Sequence, residues 1–76
     1  MSNPSTLIKY SIKERVNLNI SVYNLQGRKV AELYNGMQNK GEHDVAFDAS
    51  MLSSGVYFVK LVTDDFVRTK KIMFVK

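Results

Sequence analysis

The chain predicts an all-β antiparallel sandwich of about six or seven strands. Three observations point there: period-two alternation of apolar and polar residues, single Gly, Asn and Asp residues that punctuate it, and no long segment with helical spacing. The 76 residues suffice for one small domain. A chain of this size buries only about 60% of the surface its unfolded form exposes, which leaves little interior for a deep catalytic cleft.

The elements follow in order. Ile8, Tyr10 and Ile12 alternate with Lys9, Ser11 and Lys13, a strand with one wet face. Pro4 stands just before it, where the missing N–H costs nothing. Val16, Leu18, Ile20 and Val22 alternate with Asn17, Asn19 and Ser21 in a second strand. The charged Lys13-Glu14-Arg15 between them reads as a turn, which makes the two strands a hairpin. Leu25-Gln26-Gly27-Arg28 is the next turn, with Gly27 available for a positive φ.

Residues 28–34 alternate poorly, because Val30, Leu33 and Tyr34 cannot share one face; a bulge or a change of sheet partner accounts for this. Asn35-Gly36 and Lys40-Gly41 bracket a loop. His43, Val45 and Phe47 then alternate with Asp44, Ala46 and Asp48. The small polar residues of 49–55 break the pattern and suggest a crossover, one turn of helix, with Leu52 plugging an open end. Tyr57, Val59 and Leu61 oppose Val56, Phe58 and Val62, and apolar residues on both faces mark a central strand. Asp64-Asp65 closes a hairpin onto a last strand over 66–75. Such a succession of short strands is of immunoglobulin-like type.

The net charge of +4 is unevenly placed. Seven basic and seven acidic residues cancel from Met1 to Val67. The whole excess lies in Arg68, Lys70, Lys71 and Lys76, on or beside the last strand. A local excess suggests a basic edge, whereas a uniformly basic body is the commoner nucleic-acid signature. The lysines have a second explanation, since charge on an edge strand discourages edge-to-edge aggregation. No nucleic-acid partner is expected.

With 45% hydrophobic and 24% charged residues, the composition is that of a soluble globular domain. The absence of cysteine removes disulfides and thiolate metal sites, and fits either a reducing compartment or an exported protein that never used them. No apolar run approaches the roughly 20 residues that span a bilayer, so direct membrane insertion is not expected. Met1 to Thr6 is too short and polar for a secretory leader, which places any leader in a larger parent protein. Met1-Ser2 reads as an added start, leaving 3–76 as the domain.

Catalytic chemistry finds no support. His43 is the only histidine and has no Cys or second His beside it, so it reads as a packed or rim residue. Ser50, Ser53 and Ser54 are turn formers. Asp44, Asp48, Asp64 and Asp65 lack the spacing of a calcium loop, and only a weak site across two loops is compatible with them. The four glycines stand singly, so no phosphate-cradling loop forms. Asn19-Ile20-Ser21 matches a glycosylation sequon but lies mid-strand. Tyr10, Tyr23, Tyr34 and Tyr57 suit a sugar-stacking platform in principle, although Tyr10 and Tyr57 read better as core or corner residues. No catalytic residue, cofactor or metal ligand is assigned.

Five blocks occur in order: Asn3-Pro4-Ser5-Thr6, the run from Val22 through Gly27-Arg28-Lys29 to Val30, Phe47-Asp48-Ala49-Ser50, the run from Leu52 through Gly55-Val56-Tyr57 to Leu61, and Lys70-Lys71-Ile72-Met73-Phe74-Val75-Lys76. Together they resemble the type A C-terminal sorting domain of the type IX (Por) secretion system, and the related immunoglobulin-like domain of flagellar hook-capping proteins. The resemblance runs from Asn3 to the last residue. It implies a β-sandwich that directs an upstream cargo across the outer membrane, after a Sec leader has carried that cargo to the periplasm. The expected partners are the secretion machinery and a cell-surface sortase that removes the domain and attaches the cargo at the surface. The family motif falls on Gly27, Arg28, Val30, Gly55 and Tyr57.

Physical reasoning adds a recognition element. A basic, apolar last strand at a sheet edge offers unpaired backbone groups for strand addition, with Arg68, Lys70, Lys71, Ile72, Phe74 and Lys76 as the contacting residues. The competing reading is an accessory immunoglobulin-like module that binds polysaccharide or packs against a neighbouring enzyme domain. Exposed aromatics in a row on one face would be its signature.

Overall fold

The connections of the chain determine its architecture more than the strands do. In the computed structural model, residues 5–75 are described and form six strands. These are β1 (Ser5–Ile12), β2 (Val16–Asn24), β3 (Lys29–Gln38), β4 (Gly41–Asp48), β5 (Gly55–Thr63) and β6 (Val67–Phe74). No helix forms among the described residues. One sheet is the antiparallel pair β1-β4; the other has the order β3-β2-β5-β6. The small β-sandwich expected from the alternation is what the chain forms.

The expected β1–β2 hairpin does not form. β1 pairs instead with β4, from Ser5 opposite Asp48 to Ile12 opposite Gly41, and residues 13–15 carry the chain to the other sheet. The physical reason lies in the turn. A three-residue hairpin loop ordinarily needs a residue in the left-handed region, and Lys13-Glu14-Arg15 contains neither Gly nor Asn. Among the described residues no non-glycine residue takes a positive φ.

Where a suitable glycine is present, the hairpin closes. Asn24 accepts the Gly27 amide at 3.0 Å through its carbonyl, and its side-chain Oδ1 accepts the amides of Gln26 and Arg28 at 3.0 and 2.9 Å. Gly27 has φ 86°, which an L side chain rarely adopts. This is the turn anticipated at that position, joining β2 to β3.

The poor alternation of β3 comes from two bulges. Ile20 faces Tyr34 while Ser21 faces Glu32, and Val22 faces Ala31 while Tyr23 faces Lys29. Leu33 and Val30 are the extra residues. Asn35-Gly36 is not a turn: the two residues sit inside β3, opposite Asn19 and Leu18. The change of direction falls at Asn39-Lys40, where the chain rounds a corner from the larger sheet into β4.

The core lies between the sheets. Leu18, Ile20, Val22, Tyr57 and Val59 face inward from the larger sheet and meet Ile12 and Phe47 from the smaller. Full burial of one such side chain contributes roughly 1.5–3 kcal/mol. The stretch 49–54 contributes a buried Ala49 and a half-buried Leu52, joined by a Leu52 N–H to Ala49 carbonyl bond of 3.0 Å. It is a turn and not the single helical turn expected there, although Leu52 does cover the core as anticipated.

One flank of the sandwich is fastened by polar contacts. The Tyr10 hydroxyl donates to Gln38 Oε1 at 2.9 Å, Gln38 Nε2 lies 3.2 Å from His43 Nδ1, and His43 Nε2 lies 2.7 Å from the Asn39 carbonyl. With the proton on Nε2, His43 accepts from Gln38 through Nδ1 and donates to the Asn39 carbonyl. The Tyr10 and His43 rings stack with centroids 5.5 Å apart. His43 is thus half-buried, on the inward face near the start of β4 and stacked on Tyr10, within the packed or rim placement expected of it. These contacts tie β1 and β4 to the end of β3.

Candidate docking surface

Among the described residues, strand β6 has a single partner, β5, along its whole length, from Gly55 opposite Phe74 to Val62 opposite Val67. Its other edge is unpaired by the ladder. The turn that presents it is built around Thr63. Thr63 N–H donates to the Phe66 carbonyl at 2.9 Å, and its buried Oγ1 accepts the Asp65 and Phe66 amides at 3.1 Å each. Two-residue hairpins usually use turns with positive φ, which Asp64-Asp65 does not supply. The threonine hydroxyl satisfies the amides that such a turn leaves over.

Register assigns a face to each residue of β6. Arg68, Lys70 and Ile72 lie opposite Leu61, Val59 and Tyr57, all inward-facing, so the two cations stand on the core side of the sheet. Phe74 continues that face and packs on Phe47 at 5.3 Å and Tyr57 at 5.8 Å between ring centroids. Lys71 and Met73 lie on the outer face, opposite Phe58 and Val56. The predicted recognition residues therefore divide: Ile72 and Phe74 anchor the strand, Arg68 and Lys70 point to the open inner side, and Lys71 points outward. Lys76 lies outside the described residues.

The inner side is open because the smaller sheet has only two strands. Opposite the Gln38–His43 flank, a groove of about 740 Å³ runs between β1 and β6. Val59 and Leu61 line its floor, and Ile8, Tyr10, Arg68 and Lys70 its walls. The Arg68 guanidinium lies over the Phe66 ring at 5.4 Å. The sequence reading did not find this groove. The available signal was parity, since Arg68, Lys70, Ile72 and Phe74 share one face and two of them are cations.

The motif residues gather at the far end of the sheet. Asn24, at the start of the Gly27 turn, pairs with Tyr57, and Gly55 pairs with Phe74. Tyr57 is buried and donates its hydroxyl to the Ser53 carbonyl at 2.7 Å, a corner role. Val30 is one of the two bulge residues. The tyrosines do not form a platform: Tyr10, Tyr34 and Tyr57 belong to the inward face, Tyr34 donating to the Met37 carbonyl, and Tyr23 faces outward. Tyr23 and Phe58 lie side by side on the outer face, with Lys60 Nζ 5.8 Å from the Tyr23 ring. The sequon residue Asn19 sits mid-strand, its side chain donating to Glu32 Oε1 at 2.7 Å and accepting from Ser21 at 2.6 Å. Among the described residues no three His, Asp or Glu side chains cluster to hold a metal.

A family model described as the secretion system C-terminal sorting domain matches residues 3–76. The chain belongs to this family, the C-terminal sorting domains of type IX secretion. Neither a curated protein nor a solved structure matches the chain significantly. A sorting domain of this family acts as a signal for type IX export, is recognised by the secretion machinery and is attached to an upstream cargo. Its destination is the cell surface or the extracellular space, across the outer membrane.

Proposed function

We propose that residues 3–76 are a non-catalytic module whose strand β6 is the element the type IX machinery reads. The observation carrying this reading is the combination of a free edge, a cationic row and a firm anchor in one strand. Arg68, Lys70 and Lys71 are exposed on it, while Ile72 and Phe74 hold it to the core. An unpaired edge supplies backbone donors and acceptors to an incoming strand, and the charges steer encounter while opposing self-pairing. A surface sortase that removes the domain and attaches the cargo to the cell surface completes the proposal.

Export of a reporter fused ahead of residues 3–76 tests it. Lys70→Ala combined with Lys71→Ala lowers export while leaving the fold intact, and a truncation after Val67 abolishes it. Normal export of both variants removes β6 from the mechanism.

The outer-face pair Tyr23 and Phe58 supports a second reading, an accessory module that binds polysaccharide. A glycan array separates the two: binding lost in Tyr23→Ala favours the accessory role.

A further inference from the structure

The groove between β1 and β6 has the form of a sandwich lacking a strand. One flank is closed by the Tyr10–Gln38–His43 contacts and the Asn39-Lys40 corner. On the other flank β1 and β6 each end a sheet, and both sides of the gap are walls of the same groove. The floor is apolar at Val59, which is buried, and at Leu61, which is half-buried.

The charges are as one-sided as the topology. Lys9, Lys13, Arg15, Arg68 and Lys70 line the groove, against the carboxylates Glu14 and Asp65. A second copy of this chain is a poor occupant. Pairing two β6 edges sets Arg68, Lys70 and Lys71 against the same cations, and like charges directly opposite one another destabilise a ladder.

We propose that this groove accepts an extended acidic strand from a partner protein, inserted beside β6. On its inner face two successive alternate residues are carboxylates, opposite Arg68 and Lys70, and the next two are apolar, opposite Ile72 and Phe74. Backbone pairing along the β6 edge supplies affinity that is indifferent to sequence, and the placement of the carboxylates supplies the selectivity. This deepens the sorting reading and rests on it for the partner's identity, since the export machinery is the protein that would present the strand.

The test titrates the chain with a synthetic peptide whose alternate positions read glutamate, glutamate, valine, valine with threonine between them, in both chain directions, and with its lysine counterpart, followed by amide chemical shifts. The glutamate peptide binds, with shifts concentrated on β6 and β1, and the lysine peptide binds at least ~10-fold more weakly, as expected for two or more cross-strand charge pairs. The double substitution Arg68→Glu and Lys70→Glu, at exposed positions, reverses that preference. Lys71→Glu, on the outer face, leaves it in place. Equal binding of the two peptides, no binding, shifts on the free edge of β3, or β6 shifts that follow the chain's own concentration would each overturn the proposal. The same reversal in a cargo fusion separates the two levels. Export that survives reversal but is lost with the domain ends the groove proposal alone, and export that survives removal of the domain ends the sorting reading itself.

Discussion

Phe74 stands edge-on to Phe47, their ring centroids 5.3 Å apart and their planes at 68°. Phe74 belongs to β6 in the larger sheet and Phe47 to β4 in the smaller, so this pair joins the last strand to the opposite layer. Without it, β6 would hang on the β5 ladder and on Ile72. Phe74→Ala is therefore expected to lower stability by about 2–3 kcal/mol, below the full cost of a buried phenylalanine because the ring is half-buried. Urea denaturation measures the loss. Hydrogen exchange should show β6 amides opening first in the variant, while β2 amides remain protected.

The β5–β6 turn depends on one hydroxyl. Thr63→Val keeps the shape but leaves the Asp65 and Phe66 amides without their acceptor. The expected cost is about 1–2 kcal/mol, while Thr63→Ser stays within about 0.5 kcal/mol of the parent. A urea midpoint for each variant decides; equal loss in both would place the effect in packing.

Gly27 requires its conformation and not its small size. A Cβ there meets nothing within 4 Å, yet φ is 86°. Gly27→Ala should cost about 1–2 kcal/mol, and Gly27→Asn clearly less, since asparagine tolerates the left-handed region. Thermal midpoints of the two variants check the order.

The Tyr10 hydroxyl titrates above the ordinary phenolic value, chiefly through burial and then through nearby Tyr34 and Asp44. The sign follows from linkage: the unfolded phenol ionises near pH ~10 while the folded one stays protonated, so alkali favours the unfolded chain. The stability that Tyr10 confers is thus complete below about pH 10 and is lost as pH rises from there through the folded value. The advantage of the parent over Tyr10→Phe, set at neutral pH by the bond to Gln38, should narrow between pH 8 and pH 11. Urea midpoints at both pH values read this directly, and a widening would contradict it.

Most of the strands were legible because period-two burial imposes period-two sequence. Val16 to Val22 and Tyr57 to Leu61 wear that pattern openly. The irregularity of Val30 and Leu33 was legible as well, because a bulge must break parity. Pairing was less legible, since a strand's alternation says which face is wet and not which neighbour it joins. β1 paired with β4 because residues 13–15 lack a left-handed residue, a negative signal that is easily passed over beside two clear strands. Asn35-Gly36 misled for the opposite reason, since a strong turn dipeptide lies within a strand paired to Asn19 and Leu18. The sorting family was legible from its ordered blocks. The groove was not, because it arises from a strand missing between two edges that are distant in sequence.

Secretion of a reporter carrying this chain, measured in two otherwise identical hosts with and without a working type IX system, tests the central claim most directly. The account predicts the reporter in the medium or on the cell surface of the first host, and its retention in the periplasm of the second. Equal release from both hosts, or equal release from the first host when residues 3–76 are removed, would contradict it.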